Sequence, residues 1–178
     1  MLAATNVSSH GRAAGERLAG ERPAPPCVKE QFHGTWRLLS WKIEQANGEL
    51  IDSPLGPDPL GWIMYQPGQH MSVALMRPDR PKFASDNLVE ATPEEVETAF
   101  GGYISYFGSY EVNARERFVI HRLQLSWFPN LVGTEQKRFF EFVGDRLILK
   151  TATLDVVRRN ASSPSRLGTS DVTLRPTS

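Results

Sequence analysis

Seven side chains in this sequence have the types needed to hold or transform an oxygenated small molecule: Tyr65, Tyr106, Tyr110, His121, Trp127, Gln136 and Arg138. Four of them lie in the stretch FVIHRLQLSWFPNLVGTEQKRFFEFV, from Phe118 to Val143. Counting by twos, Val119, His121, Leu123, Leu125 and Trp127 share one face of a first strand, with Arg122, Gln124 and Ser126 opposite. In the second half Gln136, Arg138, Phe140 and Phe142 share a face, and the more charged row, Glu135, Lys137, Phe139, Glu141 and Val143, is expected to meet water. A histidine, a glutamine and an arginine thus sit in rows otherwise filled by Leu, Trp and Phe. Left unpaired there, each would cost about 1–3 kcal/mol, so each must be paired or used.

The chemistry open to these groups is proton transfer and stabilisation of an oxyanion. Imidazole titrates near neutral pH, which makes His121 a candidate general acid or base; the alternative is a core histidine satisfied by one hydrogen bond. Arg138 would stabilise an enolate or meet a ligand anion, or else it makes a structural ion pair with Glu111 or Asp145. Tyr110 joins these two as the third candidate catalytic residue. Tyr65, Tyr106, Trp127 and Gln136 are candidate ligand contacts, donating to a carbonyl or stacking on an aromatic ring, although tyrosines also fill barrel cores.

The elements that must position these residues are mostly strands. GTWRLLSWKIEQ opens the pattern, with Trp36, Leu38 and Ser40 on one face and Leu39, Trp41 and Ile43 on the other. Asn47-Gly48 marks a turn, and DSPLGPDPLG reads as a proline-rich loop. GWIMYQP and HMSVALMRP form a hairpin around Gly68-Gln69. The polar loop 78–91 is a candidate lid over a ligand cavity. One helix begins at Thr92, where Thr-Pro-Glu-Glu supplies an N-cap, a first-turn proline and a capping-box glutamate. Helical spacing of Val96, Phe100, Tyr103 and Phe107 extends it to about Tyr106, while Gly101-Gly102 marks a place where it ends or kinks. Strands then follow at Ser109–Asn113, across Phe118–Val143, over DRLILKTA from Asp145, and, after a loop at 158–169, at Asp171–Arg175. About eight strands with short turns and one helix predict an antiparallel barrel, whose interior has room for side chains or one small ligand.

Composition excludes several functions. The 178 residues balance 20 basic against 20 acidic side chains, which removes any global attraction for nucleic acid or an anionic membrane. Cys27 is the only cysteine, beside Pro25 and Pro26, so neither a disulfide framework nor a multi-cysteine zinc site is available. His10, His33, His70 and His121 have no ligand-pair spacing, no metal or other cofactor is expected, and no phosphate loop or Gly-x-Ser-x-Gly elbow is present. Residues 1–28 read as a disordered, dispensable polar arm, and 29–178 as the folded domain. No apolar run is long enough to span a bilayer, and no secretory signal is seen, so a cytoplasmic protein is expected. In that compartment the sequons at Asn6 and Asn160 would stay unmodified.

GTWRLLSW, MSVALMRPDRP, GYISYFGSYEV and PNLVGTEQ, in this order across about residues 34–150, resemble the lipocalin-like domain family of bacterial and fungal proteins. The resemblance implies a small ligand-holding β-barrel, and some members are similar to proteins of metabolite-producing gene clusters. Two functions are expected from the residues and this likeness together. One is a cofactor-independent isomerase, cyclase or dehydratase acting on a hydrophobic, polyketide-like metabolite, with His121 moving the proton and Arg138 or Tyr110 stabilising an enolate. The alternative is a binding or accessory protein that holds such a molecule unchanged.

Overall fold

The computed structural model describes residues 27–151 and 169–177. In chain order the elements are α1 (Val28–Gln31), β1 (Gly34–Glu44), β2 (Leu50–Asp52), β3 (Leu60–Tyr65), β4 (His70–Met76), α2 (Pro93–Gly101), β5 (Tyr103–Asn113), β6 (Phe118–Ser126), β7 (Glu135–Val143), β8 (Arg146–Thr151) and β9 (Ser170–Pro176). All strands pair antiparallel with their neighbours, and β1 also pairs with β9. Eight strands therefore close into a meander barrel, as expected. The short β2 lies outside the ring, folded back by the turn at Gly48 onto Lys42–Glu44 of β1. The proline-rich stretch thus begins with a strand and holds the fully buried Leu55.

Strand alternation builds the core directly. Ile63 and Tyr65 of β3, Met71, Val73 and Leu75 of β4, Leu147 and Leu149 of β8 and Leu174 of β9 are buried, and the residues between them point outward. Two bulges reset this count. In β1 the pairing with β9 jumps between Leu38 and Ser40, so Leu39 is the extra residue and the parity of the strand reverses. Trp36 and Leu38 point inward before it, and Trp41 and Ile43 point inward after it, which overturns the simple period-two grouping. Between β5 and β6, Gly108 faces Leu123 while Phe107 faces Leu125, so Gln124 is extra. Leu125 is consequently 64% exposed and leaves the row that His121 occupies.

Gly108 is where the second bulge demands a glycine. A Cβ there would run into the carbonyl oxygen of Arg122 on the neighbouring strand.

The helix α2 starts as expected, with Thr92 Oγ1 accepting from Glu95 N at 3.3 Å and Glu95 accepting from Thr92 N at 2.8 Å. It ends at Gly101, and Tyr103 to Phe107 form the start of β5 rather than further helical turns. A strand ladder outcompetes the helix here because two glycines weaken helix continuation and β4 offers a full register from Met76 to His70.

The two barrel ends differ. At the end carrying the β3–β4, β5–β6 and β7–β8 turns, α1 inserts Phe32, which is wholly buried and meets Tyr65, Phe140 and Phe142 edge-on at centroid distances of 5.2, 4.9 and 5.2 Å. Trp36 Nε1 fixes this plug by donating to the Phe32 carbonyl at 2.7 Å. The opposite end carries loops 45–59 and 127–134, and the long connection 77–102 with α2. Most of the expected N-terminal arm, with Asn6 and His10, lies outside the described residues. So do Asn160 and nearly all of the 158–169 loop. The expected domain boundary at 28/29 falls at the start of α1, whose Val28 packs on the core.

Candidate functional site

Four inward side chains from four strands converge. Tyr65 ends β3, Tyr106 lies on β5, His121 on β6 and Arg138 on β7. Tyr65 Oη lies 2.8 Å from His121 Nε2, and Tyr106 Oη makes a long contact of 3.4 Å with His121 Nδ1. Arg138 faces the same inward side, and its charge acts on the Tyr106 phenol. Gln136 sits directly across the β6–β7 ladder from His121, and its Nε2 donates to Thr134 Oγ1 at 3.1 Å.

His121 bridges the two phenols, with Tyr65 Oη at Nε2 and Tyr106 Oη at Nδ1; a neutral imidazole donates at one of these nitrogens and accepts at the other.

Electrostatics hold the chain neutral apart from Arg138. Burial, and after it the positive charge of Arg138, depress the His121 pKa well below the ordinary histidine value. Burial raises both phenols, Tyr65 strongly, with Tyr106 adding to the effect there; Arg138 offsets part of the rise at Tyr106. His121 is therefore a neutral imidazole near pH 7.

Packing divides the seven expected residues into three groups. His121, Tyr65 and Tyr110 are 0–1% exposed, so no water-sized space touches them. The His121 ring is packed by Tyr65 and Tyr106, with Tyr110 across the ladder. Tyr106, Gln136 and Arg138 form the second group, half-buried on inward rows. The third is Trp127, which the bulge separates from the His121 row. Its Nε1 donates to the Phe100 carbonyl at 3.3 Å, and its ring packs on Phe100 and Phe128.

Tyr110 pairs with His121 across the ladder, but its hydroxyl donates to the Gln66 carbonyl at 3.0 Å. It does not join the relay. The structural ion pair suggested for Arg138 is also absent among the described residues. Glu111 and Glu135 both engage Arg122, at 2.8 and 2.7 Å, and Asp145 engages Arg175 at 3.0 Å.

Residues that the sequence did not single out complete the picture. Trp41, turned inward by the Leu39 bulge, buries its indole N–H without a partner among the described residues. Phe32 seals the closed end from a single helical turn that has no periodic signal. The loop expected to act as a lid is pinned to α2: Ala84 N donates to Glu95 at 2.7 Å, and Arg80 donates to the Ala99 carbonyl at 3.2 Å while lying over the Tyr103 ring. A recess of about 500 Å³ beside α2, lined by Ala91, Pro93, Val96, Glu97 and Phe100, opens on this end of the barrel. A second, of about 430 Å³, lies against Arg117, Phe139, Phe140, Glu141 and Lys150. Neither touches His121. Among the described residues no cluster of His, Cys, Asp and Glu could hold a metal ion, and no helix is long and apolar enough to cross a membrane.

Residues 33–170 match the lipocalin-like domain family. The chain is also similar to the 4'-hydroxy-3'-methoxypropiophenone carrier protein of Aspergillus oryzae (strain ATCC 42149 / RIB 40), with 35% identity over 88 residues, covering 46% of this chain and 78% of that protein.

Proposed function

The chain belongs to the lipocalin-like domain family, and from that premise we propose that it binds and carries a hydrophobic, oxygenated aromatic molecule at the open end of its barrel without converting it. The observation that carries this reading is the half-buried trio of Tyr106, Gln136 and Arg138 on inward rows of an otherwise apolar barrel, with His121 sealed behind Tyr106. Apolar walls with a few convergent polar groups are what a small-molecule site requires. Tyr106 offers a hydroxyl donor, Gln136 an amide and Arg138 a fork of N–H groups, a set suited to a carbonyl or phenolic oxygen on an aromatic ring. The relative's name points the same way, since 4'-hydroxy-3'-methoxypropiophenone presents a ketone and a phenol on one ring.

His121 works in this reading as a positioning residue. Bonded on both ring nitrogens and closed to solvent, it fixes Tyr106 rather than meeting the ligand.

A second reading, a cofactor-independent isomerase, cyclase or dehydratase of secondary metabolism, draws support from one specific feature. The Tyr106–His121–Tyr65 chain could pass a proton inward from a ligand at Tyr106, with His121 as the base acting through the tyrosine. Calorimetric titration with 4'-hydroxy-3'-methoxypropiophenone and related aryl ketones, followed by chromatography of the recovered ligand, separates the two. Saturable binding with the ligand recovered unchanged is the expected result. A new product, lost about 10²–10⁴-fold in His121→Asn with the fold intact, would establish the enzyme instead.

A further inference from the structure

Among the described residues, the inner rows of the barrel contain one cation and no carboxylate. From β1 to β9 the described inward positions are apolar or aromatic, apart from Tyr65, Tyr106, Tyr110, His121, Ser126, Gln136, Arg138, Thr151 and Ser170. Arg138 is the charged member, and each nearby acidic candidate is already engaged on the outside by another arginine. Its described hydrogen bond goes to the Lys137 carbonyl, at 3.2 Å, which carries no countercharge. A half-buried guanidinium in an apolar surround is costly unless an anion accompanies it.

We propose that the ligand is held as an oxyanion, the ionised form of an acidic phenol or enol, with Arg138 as its countercharge and the Tyr106 hydroxyl donating to the same oxygen. This rests on the carrier reading above and narrows it to a class of ligand. Tyr106 faces the same interior as Arg138 and its phenol feels the guanidinium charge, which sets the two groups to share one ligand oxygen. His121, held neutral by burial and by Arg138, adds no second positive charge, so the barrel supplies one cation for one anion. On binding, the ligand's O–H bond breaks, its electron pair stays on oxygen and the proton goes to the buffer. No other bond changes.

The test uses 4-hydroxyacetophenone and its methyl ether, 4-methoxyacetophenone, with the full chain. The phenol has a separate phenolate absorption band, and the ether cannot ionise. At a pH about one unit below the free phenol's pKa, saturation with protein is expected to raise the phenolate band and release protons to the buffer. The ether is expected to bind about 10–100-fold more weakly, because a hydrogen bond to a charged group is worth about that factor. Arg138→Met should abolish the phenolate band and bring the two affinities together, while Arg138→Lys, which keeps the charge, should retain the band. Thermal melts of both variants establish folding, and if Arg138→Met does not fold, the wild-type and Arg138→Lys spectra decide. Equal binding of phenol and ether with no phenolate band overturns the oxyanion while leaving the carrier reading in place. Binding of neither compound overturns both.

Discussion

His121 ties the stability of the fold to pH. Burial keeps it neutral in the native state, whereas in the unfolded chain it titrates near 6.5. Below that value the unfolded chain takes up a proton that the native state refuses, so stability falls as pH drops from 6.5 toward the depressed native pKa. It is fully present above 6.5. The slope from this one residue approaches ~1.4 kcal/mol per pH unit. Melting wild type and His121→Asn from pH 7 to pH 5 checks the sign and the source. The wild type is expected to lose its midpoint more steeply, and parallel curves would assign the loss to other groups. That His121, Gln136 and Arg138 sit on inward rows was legible in the sequence because each interrupts an apolar row. Which of them meets solvent was not, since that depends on how Tyr65, Tyr110 and Phe32 fill the space around the imidazole.

At the scale of elements, the meander, the β3–β4 hairpin and the capping box of α2 could be read from turn residues and alternation. Each is a local signal. The bulges were hidden because an extra residue is defined by the partner strand: nothing in LLSW says that Leu39 rather than Ser40 will be skipped, nor that Gln124 will be skipped between Leu123 and Leu125. The glycine in the middle of YFGSY was the available clue to the second bulge. There the backbones of β5 and β6 approach too closely for a side chain, so Gly108→Ala should cost about 1–3 kcal/mol through overpacking and lower the melting midpoint. An unchanged midpoint would mean that the strands separate freely at this point. The overlong helix expectation has a related origin: Tyr103 and Phe107 fit a helical spacing, yet β4 provides partners for the whole segment.

For the whole molecule, the asymmetry of the barrel organises function. One end is plugged by Phe32, the other carries α2 and its pinned loop, and Tyr106, Gln136 and Arg138 lie half-buried on the inward rows. Phe32→Ala removes the plug, and it should destabilise the barrel by about 3–5 kcal/mol in chemical denaturation, as for other buried aromatics cut to alanine. A loss below ~1 kcal/mol would make α1 a mere appendage. The most direct test of ligand binding at the open end is a two-dimensional NMR titration, observing the His121 ring, the Arg138 Nε–H and the indole N–H groups as 4-hydroxyacetophenone is added. Saturable shifts are expected at Arg138 and His121, with little change at the outward-facing Trp62. Shifts confined to Trp62 and its outer face, or none at Arg138 with the protein saturated, would contradict binding at the open end.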